Sequence, residues 1–307
     1  MKNHQIITGF IVFFSLLPQF SGLAFSATQN GTANVVDSLN EIRNSLDTSS
    51  SLSTGMKSSV GLKEYWAVLI GINDYRGDTS DLPWSVNEIT CFKNTLLSSG
   101  NWKEDHIQVL LNYNATKENI TNAIEWLDAH EDSNDVSIFY FVGHGSTDSD
   151  HQYLVVYNAK ISDEELKDQC DMLEGHVVVI IDSCYSGGFI EELKDRKRVV
   201  LTACGKEEFT YQDSHLQSGF FGYFINLTLS RFTTTVEMTF LFAYPQIKSY
   251  CRKVSDQYGE DYMITPRMSD GSIFFTKVVK SHLNGLLPKI IDCSLIRFSS
   301  SWRAWRM

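Results

Sequence analysis

The stretch VVVIIDSCYSGG, Val177–Gly188, decides the fold class of this 307-residue chain. Five consecutive β-branched apolar residues predict a strand buried on both faces, and the two glycines predict a sharp turn after it. Strands of this kind are typical of parallel sheets covered by helices. The turn carries Cys184, so a thiol follows the carboxyl end of a strand, where open α/β folds keep their functional sites.

The same alternation of apolar strands and helical patterns continues along the chain. Strands are predicted at 65–72, 106–111, 136–143, 153–157, 176–182, 198–204 and 271–277. Helices are predicted at 85–97, 117–130, 162–173, 219–229 and 240–258, the last interrupted by Pro245. The sequence therefore predicts an α/β three-layer sandwich, with a mostly parallel sheet of about six strands and helices on both faces.

The first 61 residues have a different character. Residues 1–26 combine Lys2, an apolar run that ends before Pro18 and an Ala-Phe-Ser cleavage signal, which predicts a secretory signal peptide; an uncleaved anchor is the alternative. Residues 27–61 are rich in serine and threonine and form a predicted linker or pro-segment. We therefore expect a secreted or extracytoplasmic protein.

Charge restricts the classes of partner. The net charge of −11 argues against nucleic acid as a partner of the whole molecule, while it suits basic peptides or divalent cations, or serves solubility alone. Residues 278–307 instead form a basic extension, with five lysines and arginines against Asp292 and with two tryptophans near its end. Contact with a membrane or a partner and a simple extension both remain open for this segment.

Two strands end in residues capable of catalysis. The strand at 136–143 is followed by His144, between Gly143 and Gly145, and the strand at 176–182 is followed by Cys184. If these strands are parallel neighbours, the imidazole and the thiol meet at one edge and form a Cys/His pair for nucleophilic catalysis. The amides of Gly145 and Cys184 are then the candidates for an oxyanion hole.

The motifs in this order resemble the caspase/metacaspase superfamily of cysteine peptidases, which also includes legumain. The resemblance extends over Tyr65–Lys277 and rests on WAVLIGINDY, LPWSVNEI, YFVGHGS, IIDSCYSGG, RVVLTACGKEE, GFFGYF and ITPRMSDG. It implies a caspase-like peptidase domain at 62–277. It also implies peptide-bond hydrolysis by Cys184 and His144, with Gly145 supplying the oxyanion amide.

The resemblance also bears on substrate choice. In metacaspases the acid two residues before the cysteine lines the pocket for a basic side chain; that position is Asp182 here, and Glu88 stands near a second acidic position. Two carboxylates in one pocket favour arginine, which pairs with them bidentately, or lysine. The Gln-Ala-Cys signature of true caspases is missing, so their specificity for aspartate is not expected.

Several alternatives remain open at this stage. Legumains carry the same acid yet cleave after Asn, so cleavage after Asn or Asp is a second hypothesis, and a non-catalytic peptide-binding module is a third. Cys204 is the rival nucleophile, because it also follows a strand. No cofactor is required for the proposed chemistry; calcium is a possible ligand by resemblance, although no EF-hand-like loop occurs. The basic run Lys194–Arg198 is a candidate for self-cleavage or an exposed turn.

Overall fold

The computed structural model describes residues 61–77, 79–231, 233, 235–272, 276–279 and 303–307. Contacts divide the chain into two units, Met1–Ser59 and Val60–Met307. The predicted signal peptide and nearly all of the predicted linker lie outside the described residues. The fold below is that of the second unit.

A six-stranded sheet organises this unit. Its strands are β1 (Tyr65–Gly71), β2 (Ile107–Leu111), β3 (Val136–Val142), β7 (His176–Asp182), β8 (Arg198–Thr202) and β11 (Arg267–Asp270). They lie in the order β11-β8-β7-β3-β1-β2, and only β11 is antiparallel to its neighbour. The predicted α/β class and the mostly parallel six-stranded sheet are confirmed.

The inner strands are apolar because both of their faces are covered. Every residue of β3 and β8 is buried, as is every residue but the first of β1 and β7. The edge strand β2 is only half-buried beyond its first residue. Continuous apolar runs therefore marked the centre of the sheet correctly.

Helices cover the sheet in two groups. One group contains α1 (Ser85–Ser98), α5 (Phe220–Arg231) and α6 (Val236–Tyr258), and the other contains α2 (Lys117–His130), α3 (Asp163–Cys170) and α4 (Phe189–Leu193). Contacts run from α1 to α5 and from α5 to α6, and separately from α2 to α3 and from α3 to α4. Within the described part of the chain, no helix is both long enough and apolar enough to cross a membrane.

Local sequence signals set where two of these helices begin. The Thr116 side chain accepts the Asn119 backbone N–H at 3.2 Å and caps α2 as predicted. Ser162 and Glu165 form a reciprocal capping box at the start of α3. Such caps satisfy backbone donors that lack a partner in the first turn.

The predicted break at Pro245 is wrong. Helix α6 begins at Val236, capped by the Thr235 hydroxyl, and runs through Pro245 to Tyr258. A proline inside a helix costs about 3 kcal/mol. The helix nevertheless buries a continuous face that includes Phe240 and Ile247 on either side of the proline, which offsets that cost.

The last strand of the sheet also differs from the prediction. The strand at this edge is β11, Arg267–Asp270, which was not predicted, and residues 273–275 of the predicted strand 271–277 lie outside the described residues. Strand β11 carries polar residues because it is an edge strand with its outer face open to solvent. Its sequence therefore lacks the apolar run that marked the other strands.

Two small sheets stand beside the large one. The first contains β4 (Gly145–Thr147), β5 (Gln152–Val155) and β6 (Lys160–Ser162). The second contains β9 (Tyr211–Asp213) between β10 (Ser218–Gly219) and β12 (Ala304–Arg306), all antiparallel. Strand β12 belongs to the basic extension.

Candidate active site

The register of β3 and β7 brings the two predicted catalytic residues to one edge. Val142 lies opposite Asp182, and the next residue, Gly143, donates its N–H to the Asp182 carbonyl at 3.2 Å. His144 and Cys184 each follow two residues after this matched pair. The predicted parallel neighbourhood of the two strands is confirmed, so both residues leave the sheet at the same place.

Cys184 is a buried free thiol next to Thr210, the residue that precedes β9. It is 1% exposed, and its Sγ approaches the Thr210 carbonyl oxygen at 3.8 Å. Tyr185, the next residue, adopts a left-handed conformation with φ of 61°, which turns the chain sharply after the strand. Burial raises the pKa of Cys184 to about 12, so the thiol is protonated in this arrangement.

His144 is held from two sides. Its backbone N–H donates to the Tyr75 hydroxyl oxygen at 2.7 Å, and the two rings lie 4.8 Å apart. Its Nε2 contacts the Ser80 carbonyl oxygen at 2.7 Å. Because a carbonyl oxygen only accepts, Nε2 carries the hydrogen and donates it. In the neutral ring, Nδ1 is then the basic nitrogen.

Gly145 must be glycine at this position. A Cβ atom added to it would lie 2.0 Å from the Cys184 carbonyl oxygen and 2.8 Å from the Ser183 hydroxyl oxygen. The histidine loop therefore packs directly on the cysteine loop. This contact places Gly145 beside the thiol-bearing residue, and its part in an oxyanion hole stays a prediction.

The structure brings Asp182 and Glu88 together. Glu88 accepts the Tyr140 hydroxyl at 2.6 Å, the Ser218 hydroxyl at 2.7 Å and the Gly219 backbone N–H at 2.6 Å. Asp182 accepts the backbone N–H of Gly222 at 3.0 Å and the hydroxyl of Thr210 at 3.4 Å.

These two carboxyl groups form a buried pair. Both are at most 2% exposed, and a hydrogen bond joins them. Burial raises the pKa of both groups, that of Asp182 well above its ordinary value. The three donors around Glu88 oppose this effect of burial on its carboxyl group, whereas the neighbouring Glu88 adds to it at Asp182.

Several residues of this site escaped the sequence analysis. Thr210 meets both Cys184 and Asp182, Ser80 orients His144 through its backbone, and Tyr140 reaches Glu88 from the middle of β3. Carbonyl groups carry no residue signature, so nothing in the sequence marks Ser80 or Thr210. Tyr75, in the motif WAVLIGINDY, and Tyr140, in YFVGHGS, lay within stretches that had been singled out, but neither was assigned a role.

No group suited to a metal ion occurs among the residues that the structure describes. They contain no cluster of three or more His, Cys, Asp or Glu side chains that could hold one. Calcium binding therefore stays a prediction from resemblance alone.

The part of the chain that carries this site is similar to known proteins. Residues 64–262 match the family model described as the caspase domain. Metacaspase-4 and metacaspase-6 of Arabidopsis thaliana are each 29% identical, over 51% and 42% of this chain respectively. Metacaspase-9 of the same plant is 30% identical over 44% of the chain. The matches span 41%, 40% and 47% of these three relatives, less than half of their length.

Proposed function

The chain belongs to the caspase domain family, and from this premise we propose that it is a cysteine endopeptidase in which Cys184 and His144 form the catalytic dyad. The observation that carries the proposal is the matched register of β3 and β7, which sends both residues out of the sheet at the same edge. A nucleophile and its base need this proximity.

The proposed reaction proceeds in two halves. His144 Nδ1 takes the thiol proton while Cys184 Sγ attacks the carbonyl carbon of the scissile bond. The amides of Gly145 and Cys184 stabilise the oxyanion, where one donor contributes about 3 kcal/mol. His144 then gives its proton to the leaving amine, which leaves a thioester. Water, deprotonated by His144, attacks this thioester and releases the acid product and the thiol.

The Ser80 carbonyl supports this assignment of the base. Its contact with Nε2 favours the neutral tautomer in which Nδ1 carries no hydrogen. When the ring accepts the thiol proton, the same carbonyl accepts from the more acidic Nε2–H of the imidazolium. Ser80 thus acts through His144 as a positioning group.

We propose cleavage after arginine or lysine. The neighbouring carboxyl groups of Asp182 and Glu88 offer a buried ion-pair partner to one basic side chain. Because burial raises the pKa of both carboxyl groups, a bound cation would also favour their ionised forms. Cleavage after Asn or Asp, as in legumain, is the alternative, and a cleavage profile with fluorogenic peptides distinguishes the two specificities.

We also propose that the enzyme is exported, on the strength of the signal-like residues 1–26. An exported peptidase would meet substrates outside the cytoplasm. N-terminal sequencing of the protein secreted by its host would test this, and a mature N-terminus at Met1 would contradict it.

The test of specificity is a cleavage profile with fluorogenic peptides that carry Arg, Lys, Asn or Asp before the reporter. We expect turnover of the Arg and Lys peptides and none by Cys184→Ala. Cleavage only after Asn or Asp would contradict the basic specificity, and equal turnover by Cys184→Ala would contradict the mechanism.

Glu88→Gln tests the role of this carboxyl group directly, because it replaces an ionisable carboxyl group with an uncharged amide of nearly the same shape. We expect the ratio of kcat/KM for the Arg peptide to that for an uncharged peptide to fall roughly 10-fold to 100-fold. Glu131→Gln is the matched control, since Glu131 is also a buried glutamate that accepts backbone N–H groups, from Glu174 and Gly175. That control should leave the ratio unchanged.

A further inference from the structure

The end of the basic extension pairs with the strand that covers Cys184. Strand β12 lies antiparallel to β9, with Trp305 opposite Gln212. Hydrogen bonds continue beyond both ends of the ladder. The Ser214 N–H donates to the Arg303 carbonyl at 3.2 Å, and the Met307 N–H donates to the Thr210 carbonyl at 3.2 Å.

The last of these bonds reaches the candidate nucleophile. The Thr210 carbonyl that accepts the Met307 N–H is also the group that Cys184 Sγ approaches at 3.8 Å. The positive charge of Arg306 acts on the same thiol. The Met307 end of this segment therefore lies next to Cys184.

Side chains alternate between the two faces of the β9–β12 pair, so each face contacts different residues. Met307 is opposite Thr210 and shares its face with Gln212. Thr210 donates to Asp182, and Gln212 donates to Ser85 at 2.8 Å, so this face is turned towards the acid pair and the start of α1. Met307 is only 3% exposed.

The opposite face of the β9–β12 pair carries Arg306. Its guanidinium carbon lies 3.0 Å from the centre of the Phe209 ring, a cation–π contact, and the Phe209 ring in turn packs edge-on against Tyr185. The segment is thus held by a backbone ladder, one buried side chain and one stacked cation.

We propose that Arg303–Met307 is an intramolecular inhibitor that occupies the edge of β9 in the place of a substrate peptide. Addition of an extended segment to a strand edge is a general mode of peptide recognition, in which the backbone supplies affinity and alternate side chains supply specificity. Met307 then takes the place of the residue before the scissile bond. This inference rests on the proposed peptidase function.

The segment is suited to release. Strand β12 has only three residues, and Arg303 and Arg306 are exposed. Its covalent attachment gives it an effective concentration in the millimolar range, so even a weakly bound segment blocks the edge. A peptide that fills the acid pocket with a basic side chain gains an interaction that Met307 lacks, and it displaces the segment.

The first test uses the full-length chain with Met307→Pro. Proline has no N–H, so the bond to the Thr210 carbonyl is lost. We expect iodoacetamide to label Cys184 at least 10-fold faster than in the wild type, and kcat/KM for an Arg peptide to rise by a similar factor. Arg303→Ala is the control, since its backbone bonds remain, and it should change neither rate.

A second variant ends the chain after Trp302, and circular dichroism checks that it is folded. The synthetic peptide SWRAWRM (Ser301–Met307), added to it, should raise KM without lowering kcat, whereas a scrambled peptide should not. Cys184 labelled at the wild-type rate in both folded variants would overturn the inference. Faster labelling without any peptidase activity would support the covering segment and overturn the proposed function instead.

Discussion

Two free thiols, Cys184 and Cys204, occupy equivalent places at the ends of neighbouring strands. Each follows the last residue of its strand by two positions, β7 in one case and β8 in the other. Both are at most 1% exposed. Burial raises the pKa of Cys184 to about 12 and that of Cys204 to about 11.

The two thiols differ in the groups that surround them. Cys204 Sγ lies 3.5 Å from the Ser186 hydroxyl, 3.4 Å from the Ser183 carbonyl and 3.3 Å from the Glu208 carbonyl, so local polar groups surround it. Cys184 approaches one carbonyl, that of Thr210, beside the edge where residues 303–307 pair. Burial and pKa thus rank the two thiols alike, and proximity to the edge of β9 that pairs with residues 303–307 distinguishes them.

The largest expected effect comes from exchanging each thiol for a hydroxyl. Cys184→Ser should reduce kcat/KM for an Arg peptide by roughly 10³-fold or more, because the nucleophile is lost. Cys204→Ser should stay within several-fold of the wild type. Steady-state kinetics on both purified variants measures this, and a comparable loss in Cys204→Ser would reverse the assignment of the nucleophile.

A smaller effect is expected for the alkylation rate of the two thiols, which should rise with pH. Only the thiolate reacts, and below its pKa its fraction rises about tenfold per pH unit. With pKa values of about 12 and 11, labelling of both thiols should rise about tenfold per unit from pH 7 to pH 9. Mass spectrometry of iodoacetamide-treated protein gives each rate. A rate for Cys184 that does not change with pH would indicate a stable thiolate and contradict this description.

The smallest expected effect concerns stability. Ser186→Ala removes the hydroxyl that accepts the Cys204 N–H at 3.3 Å and leaves that buried donor unsatisfied. The free energy of unfolding should fall by about 1–2 kcal/mol, as measured by urea denaturation. Ser98→Ala is a matched control, because the Ser98 hydroxyl is exposed and bonds only within its own helix. An equal loss in both variants would show that the polar surroundings of Cys204 contribute nothing particular.

The sequence was most informative where burial is complete. Continuous apolar runs such as Val136–Val142 identified the central strands, and the residues after two of them include His144 and Cys184, which the register of those strands brings to one edge. Prediction failed where tertiary contacts outweigh local preference, as at Pro245 within α6. It also failed at Arg267–Asp270, an edge strand that needs no apolar run.

The candidate site was predictable only through its side chains. Asp182 and Glu88 were expected near each other, and the structure places them in one hydrogen-bonded pair. The groups that complete the site are backbone carbonyls of Ser80 and Thr210, which any residue can supply. The pairing of residues 303–307 with β9 depends on contacts between parts of the chain nearly 100 positions apart, which composition does not encode.

The in-register ladder between β3 and β7 has a consequence for how the protein unfolds. Amide hydrogens in its most deeply buried strands should exchange with deuterium only when the whole domain opens. His144 and Cys184 lie two residues beyond the last pair of that ladder, so the spacing between them depends on the part of the molecule that is expected to exchange most slowly. Fraying of outer strands, or changes of length in distant loops, would therefore leave that spacing intact until the domain itself is lost.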